Sequence, residues 1–173
     1  DGTLAAVGTD GTVLAVAVQS DRAIVFGGQF THVNRPSVVL PADVGYLARV
    51  SSAGVLDLAF SVTTPKANDF VNTLVGQTLP NSGGDRLLVG GSFTTLNGVG
   101  RGRVARLRLT DGALDPEINF GTGANDAVLA AAVAPDGQLV LGGAFTTFNG
   151  TSAPRLVRLQ GGLNAGSGTF AFS

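Results

Sequence analysis

The chain has 173 residues, of which 44% are hydrophobic and 13% charged, and its formal net charge is −1. This length allows one domain with a sizeable core, and the near-neutral charge argues against a nucleic-acid partner. Because the chain contains no cysteine, disulfides, thiol catalysis and cysteine-based zinc sites are excluded. No apolar run approaches the roughly 18 residues of a membrane-spanning helix, so no membrane span is predicted.

The first predicted element is a strand over 12–18, because β-branched residues are frequent in this short stretch. The chain then turns at 19–22 into a second strand that ends at Gly27-Gly28. Paired glycines at a strand end predict a bulge or a close approach of another backbone. Phe30 follows them and is predicted to anchor the core.

This signature occurs three times, which indicates stacked supersecondary units rather than one irregular fold. Phe93 and Phe145 occupy the place of Phe30, each after a Gly-Gly pair. An arginine-bearing strand follows each signature. The three arginines are Arg49, Arg106 and Arg158. We expect them to pair with the acids Asp57 and Asp115, or with backbone carbonyls between units, because the guanidinium fork suits both.

The first two units each contain an insertion that the third lacks. The first insertion, 32–46, contains two prolines and is predicted to be a loop. The second, 77–85, is rich in loop-forming residues. The repeats are assigned to 1–54, 55–112 and 113–173 of a single repeat domain, which we expect to be an excerpt of a longer chain.

Four stretches, 111–116, 121–128, 135–145 and 155–159, together resemble the bacterial delta-60 repeat. That resemblance implies large secreted or surface-attached proteins with β-propeller-like blades and no catalytic motif. The expected fold is therefore all-β, with three repeats of propeller-blade-like antiparallel sheet. The alternative is a pseudo-threefold closure like a β-prism or a trefoil, because propellers usually have four to eight blades.

We predict that the protein is not an enzyme and has no cofactor or metal. His32 is the only histidine, so any Ser-His-Asp triad must use it, and no flanking motif supports one. The Asp-Gly turns lack the acidic spacing of a calcium loop. The stripe around Arg106 and Arg108 is interpreted as a solvated strand face, because like charges on one face stay exposed unless paired.

The leading functional hypothesis is an extracellular binding or adhesion module that recognises a cell-surface ligand, with glycans as one candidate class. Inserted loops on a rigid scaffold carry function, and rare polar and aromatic residues concentrate in these two insertions. The alternative is a non-catalytic structural spacer or assembly domain of a surface fibre or envelope layer. The predicted ligand-binding residues are His32, Arg35, Asp43, Tyr46, Asn81, Ser82 and Asp85.

The low charge and the small number of units also predict self-association. A homo-oligomer is expected, with a trimer preferred over a dimer by analogy with surface fibres. The expected location is secreted or at the cell surface.

Overall fold

The computed structural model describes residues 7–34, 42–61, 67–78 and 85–160. Within these ranges the chain is almost entirely β-structure, with one helical turn, α1 (Leu58–Ser61). The strands form three three-stranded antiparallel sheets and three two-stranded hairpins. The prediction of an all-β chain built from three blade-like antiparallel sheets is confirmed.

Each three-stranded sheet, together with the hairpin that follows its second strand, is called a blade below, and the second strand is the central one. Blade 1 contains β1 (Val13–Val18), β2 (Ile24–Gly28), β3 (His32–Val33), β4 (Ala42–Asp43) and β5 (Leu47–Val50). Blade 2 contains β6 (Val71–Gln77), β7 (Arg86–Gly91), β8 (Thr95–Leu96), β9 (Val99–Gly100) and β10 (Val104–Arg108). Blade 3 contains β11 (Val128–Val133), β12 (Leu139–Gly143), β13 (Thr147–Phe148), β14 (Thr151–Ser152) and β15 (Leu156–Leu159).

The interpretation of the first insertion as a loop is wrong at both of its ends. His32–Val33 and Ala42–Asp43 pair as an antiparallel hairpin, as β8 pairs with β9 and β13 with β14. These ends therefore form a hairpin that every blade has. The prolines that motivated the loop prediction fall in 35–41, outside the described residues.

In blades 1 and 2 a single residue after the third strand forms an isolated bridge to that strand. After β5, Leu56 bridges to Val50, and after β10, Leu114 bridges to Leu107. The segment from each bridge onward leads into the next blade and is called the joint below.

The second glycine of each pair is required by a close approach within its own blade. A methyl group on Gly28 would overlap the carbonyl of Thr12, and one on Gly91 would overlap that of Phe70. The first strand of each blade has a bulge opposite this pair, and Ser92 N donates to the same Phe70 oxygen at 2.8 Å. The predicted bulge and close backbone approach are both confirmed.

A side chain just before the first strand of each blade fastens the turn that follows the Gly-Gly pair. Asp10 Oδ1 accepts from the backbone N–H groups of Thr31 and His32, each at 2.9 Å. Asn68 makes the same two bonds in blade 2, and Asn125 makes them in blade 3. This contact, called the clamp below, connects the start and the middle of one blade by side-chain to backbone bonds.

The predicted aromatic anchors are all fully buried. Phe30, Phe93 and Phe145 each have 0% exposure and lie in three separate hydrophobic clusters. Two of these clusters combine residues of neighbouring blades. Val25 of blade 1 packs with Phe93, and Leu88 of blade 2 packs with Phe145. Two of the three clusters therefore lie between blades, and the cluster around Phe30 lies within blade 1.

The blades stack in chain order, with the first strands adjoining one another. β6 contacts β1 on one side and β11 on the other. Val16 of β1 is 57% exposed and Leu156 of β15 is 63% exposed. In the part of the chain that the structure describes, the outer faces of blades 1 and 3 are thus uncovered. The blades form an open propeller-like series rather than a threefold closed prism.

Candidate functional site

The candidate site is an open cleft of about 560 Å³ between blades 1 and 2. It lies at the end of the blades where the β1–β2 turn and the segment before β7 meet the end of β10. Polar side chains and backbone of both blades line it. The lining residues are Gln19, Ser20, Asp21, Arg49, Asp85, Leu109 and Thr110.

Arg49 forms the wall of the cleft and joins the two blades. Its guanidinium donates to Asp57 at 2.9 and 2.5 Å, and also to the backbone oxygens of Leu109 and Thr110 in blade 2. The guanidinium lies 4.4 Å from the ring centre of Phe60. Arg49 was predicted to pair with an acid of the joint or with backbone carbonyls between blades. It makes both kinds of contact, so the prediction is confirmed.

Asp57 keeps its charge because its bonds outweigh its burial. Burial raises the pKa of the Asp57 carboxyl, but hydrogen bonds from Arg49 and from Phe60 N, with the Arg49 charge, hold that pKa below its usual range. The positive charge of Arg49 is thus balanced by the negative charge of Asp57, within the wall of the cleft. It does not make the cleft cationic.

The exposed side of the cleft carries carboxylates and hydroxyls. Ser20 Oγ donates to Asp85 Oδ2 at 3.0 Å across the two blades. Asp21 accepts from Ala23 N at 2.9 Å and so fixes the β1–β2 turn. Each carboxylate has oxygen lone pairs beyond these contacts. With Thr110 opposite, the cleft offers acceptors and hydroxyl groups in an acidic setting.

The end of the second insertion reaches this cleft. Asp85 directly precedes β7, and its backbone oxygen accepts from Leu109 N at 3.1 Å. Asn81 and Ser82, the other residues predicted in this insertion, lie outside the described residues. Of the second insertion's predicted site residues, Asp85 is the one that the structure places in a cleft.

His32 and Asp43 lie at the opposite end of blade 1, in register with each other on the β3–β4 hairpin. His32 Nδ1 is 3.1 Å from Asp10 Oδ2 and 2.9 Å from Thr31 Oγ1. The backbone hydrogen bond from His32, more than any other contact, holds the pKa of Asp10 far below its usual range. His32 is therefore tied to the clamp of its own blade, with a side chain that is 44% exposed.

Tyr46 has a structural role at the same end of blade 1. It has a φ of 68°, and Arg103 and Arg155 adopt the same left-handed conformation at the equivalent positions in blades 2 and 3. Its carbonyl accepts from Gly28 N at 3.2 Å, and its ring packs edge-on against Phe70 at 5.8 Å. Arg35, the remaining predicted residue, lies outside the described residues. The described residues of the two insertions therefore lie at opposite ends of the blades.

The basic stripe is not a solvated face at Arg106, so that interpretation is wrong. Arg106 is 1% exposed, and it donates to Asp115 at 2.6 Å and to Gln77 at 3.0 Å. Arg86 shares the same carboxylate at 2.9 Å. The equivalent of Arg86 in blade 1 is Ala23, so the junction between blades 1 and 2 has more room at this end.

Sequence reasoning missed most of the cleft. The sequence predicted only a structural role for Arg49. A comparison of the repeats could have indicated the cleft beside it, because Ala23 stands in blade 1 where blade 2 has Arg86. Ser20, Asp21 and Thr110 occur in ordinary turn sequences with no pattern of their own. Their proximity depends on the stacking of two blades, which periodicity does not reveal.

The described residues contain neither a candidate metal site nor a helix that could span a membrane. Within 7–34, 42–61, 67–78 and 85–160, no three His, Asp or Glu side chains are grouped as they would be around a metal ion. In the same ranges no helix has the length and apolar character needed to cross a membrane.

Three stacked antiparallel blades with repeated junctions define a β-propeller-like repeat protein. Residues 85–117 and 134–161 match a family model described as "Domain of unknown function (DUF5122) beta-propeller". These two segments include β7 to β10 and β12 to β15, and they amount to less than half of the chain. The match supports a β-propeller-like repeat family for this protein. No curated protein matches the chain.

Proposed function

We propose that this chain is a non-catalytic binding module that takes up a hydroxyl-rich ligand in the cleft between blades 1 and 2. The observation that supports this function is the cleft itself, which lies beside the second insertion. Loops that vary on a repeated scaffold are where binding residues concentrate. Asp85 belongs to such a loop and faces the turn of the neighbouring blade.

The charge of the cleft defines the ligand class. Asp21 and Asp85 contribute two carboxylates, while the guanidinium of Arg49 is paired with Asp57. Carboxylates accept hydrogen bonds from the hydroxyl groups of a sugar and repel an anionic one. A neutral glycan of a cell surface fits this pattern better than an acidic one.

A hydrolytic role is disfavoured by the surroundings of His32. In a Ser-His-Asp triad the acid and the nucleophile use opposite ring nitrogens. Here Asp10 and Thr31 both contact Nδ1. Asp10 also holds two backbone N–H groups of the clamp, so its role is structural.

We further propose that the protein is secreted or attached to the cell surface, as the resemblance to delta-60 repeats implies. The low charge fraction, 13%, is compatible with a robust extracellular chain. The measurement is fractionation of the source cells with an antibody against the chain. Detection in the soluble cell lysate alone would contradict this location.

The ligand test is titration calorimetry or array binding of the purified chain against neutral and acidic glycans. We expect Asp21→Asn to weaken binding about tenfold or more, because a charged acceptor is lost while the turn bond to Ala23 N can remain. Asp136→Asn is the matched control, since Asp136 fixes the equivalent turn of blade 3, outside the cleft. Equal binding by both variants would refute the cleft as the site.

The opposite end is tested separately through the first insertion. His32→Thr introduces the residue found at the equivalent positions of blades 2 and 3, so the hairpin is expected to fold normally. Deleting the extra residues of 35–44 is the stronger change. If these variants abolish cell-surface binding while Asp21→Asn does not, the ligand site belongs to the β3–β4 hairpin.

A second candidate function is that of an assembly domain in a fibre or envelope layer. The exposed apolar side chains on the outer faces of blades 1 and 3, such as Val16 and Leu156, favour it. A chain that binds none of the glycans but associates with itself would make this the leading function.

A further inference from the structure

At both junctions between blades, a glycine of one blade packs closely against a valine of the next. A methyl group on Gly27 would lie 2.9 Å from Val71 Cβ, and one on Gly90 would lie 2.7 Å from Val128 Cγ1. Each valine is the first residue of the next blade's first strand and is 0% exposed. The first glycine of each pair is thus a socket on one face of its blade. The valine is the knob on the opposite face of the next blade.

Among the described residues, the outer faces of the series carry one socket and one knob that no other blade covers. Gly142 is the third socket, and the nearest atom to a methyl group there would be 3.8 Å away. Val13 is the third knob, and it is 40% exposed where Val71 and Val128 are buried. The face with Gly142 and the face with Val13 are called the socket face and the knob face below.

Neighbouring positions on both faces show the same contrast. Leu156 on the socket face is 63% exposed, whereas its equivalents Leu47 and Val104 are both 0% exposed. Val16 on the knob face is 57% exposed, whereas its equivalent Leu74 is 9% exposed. These side chains lie where a further blade would cover them, and their chemistry is already that of a junction.

We propose that a second copy of this chain docks head to tail, with the knob face of each copy on the socket face of the other. The occupant is inferred from complementarity, because the knob face is the surface that the two internal junctions place on a socket. Two copies of these three blades, closed in this way, contain six blades, within the usual four to eight of a propeller ring. Three copies would contain nine, so the geometry favours a dimer over the trimer expected by analogy.

Arg158 has a role in the same contact. Its equivalent Arg49 crosses a junction to donate to the backbone oxygens of Leu109 and Thr110. Arg158 instead pairs with Asp136, and both side chains are 49% exposed. In the dimer, Arg158 donates to the carbonyls that follow β5 of the second copy. This proposal is independent of the ligand cleft, which lies within one chain.

The first experiment measures mass by sedimentation across a concentration series of the whole chain. We expect a species of twice the 17.3 kDa chain mass. Gly142→Ala should raise the dimer dissociation constant about 5- to 150-fold, because the added methyl group overlaps the incoming valine. Val16→Lys should also disrupt the dimer. Val99→Lys, a similarly exposed position on the β8–β9 hairpin, is the control and should leave it intact.

Cross-linking then tests the direction of docking. The chain has no cysteine, so Val13→Cys combined with Gly142→Cys places only two thiols, at the proposed contact. Mild oxidation should give a covalent dimer, while either single variant should not give the head-to-tail product. A ladder of higher species would indicate an open filament and overturn the ring. A monomer at all concentrations, with no cross-link, would overturn the docking altogether.

Discussion

At the scale of single residues, the same backbone task is carried out by different side chains. Asp10 fastens the clamp of blade 1 as a carboxylate, while Asn68 and Asn125 do so as amides in the other blades. Asp and Asn have the same shape but differ in charge, so the substitution changes pH dependence without changing geometry. This difference offers a direct test of the clamp.

Asp10→Asn should remove the acid sensitivity of the blade 1 clamp. Because the folded-state pKa of Asp10 lies below the unfolded value, its contribution is complete above about pH 4 and is lost as the pH falls through the folded value. Denaturation of the chain and the variant at pH 7 and pH 3 checks this. We expect the difference in unfolding free energy to shrink at pH 3. The reverse change, Asn68→Asp, should add acid sensitivity, and a constant difference would contradict the prediction.

Asp115→Ala should be among the most damaging single changes. It would leave the buried guanidiniums of Arg86 and Arg106 without their shared carboxylate, at a cost of about 3–5 kcal/mol. Asp57→Ala removes the equivalent acid of the first joint, which is 29% exposed, and should cost about 1.5–3 kcal/mol. Urea denaturation of the two variants gives both values. Equal losses of unfolding free energy would mean that burial does not determine how much each of the two acids contributes to stability.

At the scale of the element, three features lie together at the end of each blade's second strand. They are the bulge of the first strand opposite it, the socket glycine and the aromatic anchor. The sequence predicted this part of the fold, because a Gly-Gly pair at a strand end indicates a bulge or a close backbone approach and the phenylalanine after it indicates a buried anchor. Asn97 and Asn149, in the turns that follow the anchors of blades 2 and 3, have φ values of 52° and 50°. The sequence predicted that Arg106 pairs with Asp115 but not that this pair is buried, because burial depends on how the blades pack.

The anchors can be tested by truncation. Phe93→Ala should cost about 3–5 kcal/mol, because the ring is fully buried between blades 1 and 2. Chemical denaturation at pH 7 measures it. A loss below about 1 kcal/mol would mean that the cluster collapses around the cavity or is not the core of the junction.

The glycines give a matched pair of variants. Gly27→Ala should destabilise the chain by about 1–3 kcal/mol, because its methyl group meets Val71 in the next blade. Gly142→Ala should change stability by less than about 0.5 kcal/mol at concentrations where the chain is monomeric. Thermal denaturation of dilute samples compares them. Equal effects would show that the first glycine is needed for its own strand and not for the junction.

At the scale of the whole molecule, the three blades are unequal although their sequences are similar. Blade 2 has a neighbour on both sides, while blades 1 and 3 each have one within the described residues. In such a series, stability is a sum of unit terms and neighbour terms. The cleft also belongs to this scale, since no single blade contains it, and local sequence patterns therefore could not predict it.

Hydrogen exchange should reveal this inequality. We expect the amides of the central strand β7 to exchange most slowly, because opening them disrupts both junctions. The amides of β1 and β15, on the outer faces, should exchange faster in the monomer and slow down at concentrations that favour the proposed dimer. Uniform protection across the three blades would contradict the nearest-neighbour picture.

The position of the clamp has a consequence for how such chains grow. Its bonds stay within one repeat, and that repeat also carries one knob and one socket. A duplication of the corresponding stretch of gene would add a repeat that forms its own clamp and carries both a knob face and a socket face. Inserting such a unit between two existing ones creates two junctions of the kind already in use. Lengthening the series therefore requires no compensating change elsewhere, and the number of blades is free to vary.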